Sequence, residues 1–261
     1  MTLADFTLHL FCRIDDVLTD QEKHSRAHLW PSELVTIGVL FALKGRPARA
    51  FDRWLRANLL MLFPRLPERT RLFRLLARYQ HLTTRFLAAT TARGFCDSFG
   101  VELVHPKREG RSRQQIGRKG LSNHRWIVGV KFCPLVNQAG YIVDWDAEAA
   151  NVHDSTFQRM IGDYATGNET MTVLVDGNFH RAFKRGGDCA NLVVCRRGEH
   201  NERMGIETLF SQLTNCFALK KVTQRAWPYV EARLAFVAAA YNLLAAWHGA
   251  DGRPCVAEFV I

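Results

Sequence analysis

Three acidic residues stand out for their company. Asp97 lies within the strand-like segment GFCDSFGVEL, Asp176 closes the apolar run of TVLVDGNF, and Glu207 sits in NERMGIETLFSQL, residues 201–213. The last segment reads as a helix with one apolar side (Ile206, Leu209, Phe210, Leu213, Phe217), which would hold the Glu207 carboxylate at the edge of a core. Clustered carboxylates repel one another, and bound divalent cations make such a cluster tolerable. Hard oxygen donors suit Mg²⁺ or Mn²⁺, which keep several waters and accept phosphate oxygens as further ligands. With two such ions about 3.5–4 Å apart, one activates an attacking water or 3′-hydroxyl and the other steadies the leaving oxygen. The expectation is a two-metal phosphoryl-transfer site, with Asp97, Asp176 and Glu207 as both metal ligands and catalytic residues.

Each acid also has an ordinary reading. Asp97 would cap a strand end, although an acid between Phe95 and Phe99 is costly unless something pairs with it. Asp176, followed by Gly177 and Asn178, would be a plain turn, and Glu207 a surface residue paired with Arg203 four positions earlier. Asp144, Asp146 and Asp154 are the rival acids, Asp154 being suited with Ser155 to cap the helix TFQRMIGDYA.

The elements that must position these groups follow from periodicity. Residues 1–92 read as helical throughout. Pro31 and Ser32 open the helix SELVTIGVLFALKG, with Ser32 as a capping side chain and Gly45 as its stop. Near residue 93 the apolar period changes from about 3.6 to 2, which marks a domain boundary. A strand over residues 95–104 comes first, followed by the Gly-rich basic loop HPKREGRSRQQIGRKG. A hairpin then turns at Asn137, Gln138, Ala139 and Gly140; its first strand is apolar on both faces except at Lys131. Next come a helix, the strand MTVLVD, a short basic helix over 181–185, the strand NLVVC and the helix carrying Glu207. A long helix closes the series, with Pro228 in its first turn and apolar residues nearly all round. The expected fold is α/β. The order of elements after residue 93 resembles the ribonuclease H-like arrangement, which implies an all-α domain over 1–92, for DNA binding or dimerisation, ahead of a ribonuclease H-like catalytic domain over 93–261 with a mixed five-stranded sheet and a C-terminal helix. In that arrangement an acid on the first strand and one at the end of the fourth lie side by side, and a later helix brings the third.

Charge points to the partner. Lys and Arg number 35 against 25 Asp and Glu in 261 residues, a net +10 with a pI near 9.6, which favours a polyanion such as nucleic acid. Residues 44–85 hold eleven basic side chains against Asp52 and Glu68 alone. Within them Arg71, Arg74, Arg78 and Arg85 form one stripe beside an apolar stripe of Leu72, Leu75, Leu76, Tyr79 and Phe86. A solvated helix face usually mixes signs; this one is almost purely Arg, whose planar fork suits phosphate oxygens. The stripe (Arg71, Arg74, Arg78) and the cations Lys107, Arg108, Arg118, Lys119, Arg125 and Lys131 are therefore the candidate DNA contacts. Seven scattered cysteines without a CxxC pair fit a reduced cytoplasmic protein. Cys189, Cys195 and His200 fall short of a four-ligand zinc set. No stretch has the roughly 18 apolar residues of a membrane span, and the start lacks the basic region of a signal peptide.

The segments DSFGVELVHPKR, WIVGVKFCPLVNQAG, NVHDS, VLVDGNF and RMGIETLFSQL, with PSELVTIGVLFALKG ahead of them, resemble the DDE transposases of bacterial insertion sequences, most closely the insertion-sequence-982 family. The similarity runs over roughly residues 5–245, and its most specific pieces are HPKR after the first acid and IETLFSQL around the Glu. The resemblance implies a transposase that cuts at the ends of a mobile element and joins the freed 3′-hydroxyl to target DNA. It further implies Asp97, Asp176 and Glu207 as the metal-binding triad with two Mg²⁺ or Mn²⁺ ions, and a homodimer on DNA. Arg203, a further candidate DNA contact, matches the arginine of the family's Tyr, Arg, Glu, Lys signature, whereas His200 and Thr214 stand at its Tyr and Lys positions. A catalytically inactive, transposase-derived DNA binder and a general nuclease of the same fold are the alternatives.

Overall fold

The computed structural model describes residues 1–122, 125–167, 170–179, 189–195 and 204–248. Arg203, His200 and the expected helix over 181–185 lie outside the described residues.

Before the first strand the chain is helical: α1 (Leu3–Val17), α2 (Pro31–Lys44), α3 (Ala48–Leu59) and α4 (Arg69–Tyr79), continued by a 3-10 turn, Gln80–Phe86. Local chemistry sets their ends. Thr2 and Asp5 form a reciprocal capping box on α1. The start of α2 differs from expectation: the Glu33 carboxylate accepts the Trp30 N–H at 2.6 Å, and Ser32 is buried one position inside the helix. Gly45 terminates α2 at φ 59°, a conformation that costs other residues strain. Glu68 caps α4 through the N–H groups of Thr70 and Arg71.

The described residues then form one mixed sheet of seven strands: β1 (Arg93–Cys96), β2 (Phe99–Val104), β3 (Arg118–Ser122), β4 (Arg125–Asn137), β5 (Ile142–Ala149), β6 (Thr172–Val175) and β7 (Leu192–Val194). Between β5 and β6 lies the short helix α5 (Gln158–Gly162). After β7 come α6 (Met204–Asn215) and α7 (Trp227–His248).

Two differences separate this sheet from the expected five strands. First, the strand over 95–104 is split at Asp97 and Ser98. Across the split the register with β4 is continuous, Cys96 with Leu135 and Phe99 with Phe132, and it shifts only further on, between Glu102 and Val104. The gap therefore falls opposite Pro134, which has no N–H to give the ladder, while the Ser98 N–H goes to the Asp97 carboxylate at 2.7 Å. Second, the last three residues of the expected basic loop, with Leu121 and Ser122 after it, form β3, antiparallel to the start of β4. The hairpin from β4 to β5 turns at Gly140 (φ 90°), whose N–H bonds the Asn137 carbonyl, as its sequence predicts.

Across the sheet the sequence of neighbours is β5 and β3 on one side of β4, the β1/β2 strand on its other side, then β6 and β7. The first strands are antiparallel; β1 with β6 and β6 with β7 are parallel. One face carries Phe95, Phe99, Val101, Val130, Phe132 and Leu174, covered by α6, α7 and the N-terminal helices in an apolar cluster running from Phe6 to Ala245. The other carries Cys96, Cys133, Leu135, Val173 and Val175 beneath Phe157, Met160 and Ile161. Helix α7 is buried around most of its circumference, which explains why apolar residues surround it.

Candidate functional site

Strands β1 and β6 run parallel with Arg93 opposite Thr172, Gly94 opposite Val173 and Phe95 opposite Leu174. Carried two residues further, that register sets Asp97 against Asp176, each just beyond the end of its strand. Adjacent strands lie about 4.8 Å apart, so the two acids leave neighbouring backbone positions. Phe95 and Leu174, two residues before each acid, share one sheet face, and alternation continued past the strand ends would put both acids on it. The face is the one covered by α6: Phe99, two residues after Asp97, packs on Phe210 with ring centroids 5.1 Å apart. Phe210 is one turn after Glu207, which stands exposed while Ile206 and Leu209 are buried on either side of it.

The three acids are nevertheless not closed around one point. Among the described residues, no group of three or more His, Cys, Asp or Glu side chains is gathered tightly enough to hold a metal ion. Asp176 accepts the backbone N–H and the side-chain amide of Asn178, both at 2.9 Å, in a tight turn. The donor chemistry of Asp97 and Asp176 fits a hard divalent cation; the third donor, Glu207, is carried by a helix over the same face and does not complete the set in this arrangement.

The residue next to Asp97 is fixed from the opposite face of the sheet. Asp154, expected to cap a helix, instead accepts the Ser98 hydroxyl and the Lys131 ammonium at the same carboxylate oxygen, 2.7 Å each. The capping role passes to His153, whose Nδ1 accepts the Ser155 N–H at 3.2 Å. Sequence reasoning missed this pairing, yet a signal was there: Lys131 is the one charge in an apolar strand, and such a cation requires an acid. Lys131, expected to touch DNA, has its ammonium committed to Asp154, and both side chains are 12% exposed. Burial, with the Cys96 thiol 3.2 Å away and the charges of Asp97 and Asp154 nearby, pushes the Cys133 thiol well above its usual range. It is a packing residue beneath the strand break.

Helix α6 is anchored by a buried cation on α7. Arg233 donates to the carbonyls of Phe41, in the last turn of α2, and Phe217, just past the end of α6, the latter at 2.8 Å. Terminal carbonyls of a helix lack partners within it. Desolvation lowers the Arg233 pKa to about 9.

The remaining candidate cations are dispersed. Arg71, Arg74 and Arg78 are exposed on α4, whereas Arg85 lies beyond the helix and pairs with Asp20 at 2.5 Å. Lys107 and Arg108 stand exposed on a 3-10 turn after β2, and Arg118 and Lys119 are exposed on β3, with Lys119 over the Trp126 ring. Arg125 joins Lys221 on the buried Glu102 carboxylate, at 2.6 and 2.7 Å.

No helix among the described residues is long and apolar enough to cross a membrane. Comparison of the chain with models of known protein families, with curated proteins and with solved structures finds no match.

Proposed function

We propose that this chain is a DDE-type DNA transposase with a ribonuclease H-like catalytic unit, which cleaves at the ends of an insertion sequence and joins the 3′-hydroxyl to target DNA. The observation that carries the reading is the parallel register of β1 and β6, which sets Asp97 against Asp176, with the helix bearing Glu207 packed over the same face. The succession of three antiparallel strands and two parallel ones, with the first strand central, also supports it.

In this proposal Asp97, Asp176 and Glu207 hold two Mg²⁺ or Mn²⁺ ions. Bound there, the ions would lower the pKa of the attacking water or hydroxyl and offset charge on the leaving oxygen. The protein's own task is positional. Asp154 and Lys131 fix Ser98 and with it the backbone at Asp97; Arg233 holds the chain just past the far end of α6, the helix that carries Glu207. Arg71, Arg74 and Arg78 bind the phosphates of element ends, and Lys107, Arg108, Arg118 and Lys119 hold the strand near the acids. Such contacts supply affinity without sequence information. A homodimer would present two ends together.

The test is Asp97→Asn in a strand-transfer assay with Mg²⁺ and DNA carrying the element's terminal repeats. The variant is expected to retain DNA binding and to lose cleavage and joining by at least a factor of about 10³, the scale on which loss of charge stabilisation acts. Retained transfer would refute the site. Cleavage without joining by the unaltered protein would instead favour a general nuclease, and binding without metal-dependent cleavage would favour an inactive DNA binder.

A further inference from the structure

Two clefts meet at Gln224. The larger, about 340 Å³, lies between the loop after β2 and residues 224–225, with Arg108, Arg111 and Arg225 around an apolar floor of Leu103, Val104 and Ile116. The smaller, about 220 Å³, joins Arg69 at the start of α4 to the half-buried rings of Phe73 and Tyr229. Gln224 lines both, so the clefts are consecutive, and they connect the two basic regions that are far apart in the sequence. Among the described residues, no acidic side chain lines either one.

The shared wall is built, not loose. Glu102 on β2 donates its N–H to the Lys220 carbonyl and accepts the Val222 N–H, each at 3.0 Å, and its carboxylate pairs with Lys221. Arg225 donates to the Leu103 carbonyl. On the other side of the larger cleft the Gln115 amide oxygen accepts the Gly110 N–H at 2.9 Å, which closes the Arg108 loop on itself.

Guanidinium groups at intervals, apolar and aromatic faces between them and no carboxylate match a chain of phosphates with exposed base planes. A duplex offers the phosphates and hides the planes. We propose that these clefts form one track for an unpaired strand of DNA, with phosphates on Arg111, Arg225 and Arg69 and a base stacked on Tyr229. The inference rests on the proposed function only in taking DNA as the partner; it makes no use of the three acids.

The experiment measures anisotropy of a labelled oligo-dT of about ten nucleotides, a length within the usual range for such sites, against a blunt duplex of equal length, in EDTA so that no metal chemistry contributes. Arg111→Ala and Tyr229→Ala are each expected to weaken binding of the single strand five- to tenfold and of the duplex less than twofold, while Tyr229→Phe keeps the unaltered affinity. Equal losses on both DNAs, an unaltered protein that does not bind the single strand, or preference for the matching ribo-oligomer would overturn the track. Thymidine monophosphate competing as well as the oligomer would overturn it too, by showing a single-nucleotide pocket. Thermal melting checks each variant; should Tyr229→Ala fail to fold, Arg111→Ala, on an exposed loop, decides the matter. Strand selectivity without metal-dependent cleavage would leave this inference standing and remove the proposed activity; cleavage without strand selectivity would do the reverse.

Discussion

At the scale of single residues, the roles of the carboxylates are set by which face of the sheet they meet. Asp154 and Lys131 are both nearly buried and satisfy each other. Lys131→Met should strand the Asp154 charge and cost about 3–5 kcal/mol in urea unfolding, with much of the loss recovered by adding Asp154→Asn; a cost below about 1 kcal/mol would show that the pair does not lock the site. Asp144 offers a pH test. Burial, reinforced by Asp146 and Asp163, raises its carboxyl above the usual range, against hydrogen bonds from the Trp145 N–H and the Tyr164 hydroxyl. A raised folded-state pKa favours the protonated form, so this contribution to stability is present below the unfolded value and is lost as pH rises through the folded one. Asp144→Asn should therefore raise the melting temperature at pH 7 and show a shrinking advantage as pH falls toward 4; an advantage that does not vary with pH would contradict this. Asp97, Asp176 and Glu207 were legible as candidates because each ends or flanks an apolar run. The bond from Asp154 to Ser98 was not, since it joins residues 56 apart across a sheet and local spacing favoured a cap.

At the scale of elements, α4 and α6 carry the consequences. The expected stripe survives as far as Arg78, because α4 ends at Tyr79 and the following 3-10 turn takes Arg85 out of phase. Changing Arg71, Arg74 and Arg78 together to Gln should weaken binding to every DNA sequence alike. It should also make the dependence of log K on log salt shallower by up to about 0.9 for each phosphate that is no longer neutralised; weakening confined to one sequence would mean that α4 reads bases. For α6, Arg233→Ala removes donors from the Phe41 carbonyl in the last turn of α2 and the Phe217 carbonyl just past α6 and should cost about 3 kcal/mol, two charged hydrogen bonds partly offset by relief from burying the charge. An unchanged unfolding midpoint would show that neighbouring donors replace it. The apolar side of α6 was readable from its period. Its docking on Phe99 was not, because a helical pattern says which side is buried and not against what.

At the scale of the whole molecule, the change of period near residue 93 coincides with the first strand, and an α/β chain with helices ahead of a mixed sheet follows from it. What periodicity could not convey is that an interruption at Asp97 and Ser98 opposes Pro134, or that a segment rich in Arg and Gly supplies β3 by pairing its backbone rather than by burying side chains. Nor could it show that the apolar cluster reaches from α1 to α7 across the sheet. The functional account depends on the acids at the ends of β1 and β6 sharing cations with the acid on α6, which sits over the same face without closing on them. Titration of Mn²⁺ into the full chain, followed by calorimetry and by thermal melting, tests this most directly. Two bound ions and a melting temperature that rises with metal are expected for the unaltered protein, with the tight ion and most of the rise lost in each of Asp97→Asn, Asp176→Asn and Glu207→Gln. No metal-linked rise in the unaltered protein, or an unchanged titration in any one of the three variants, would contradict the shared site.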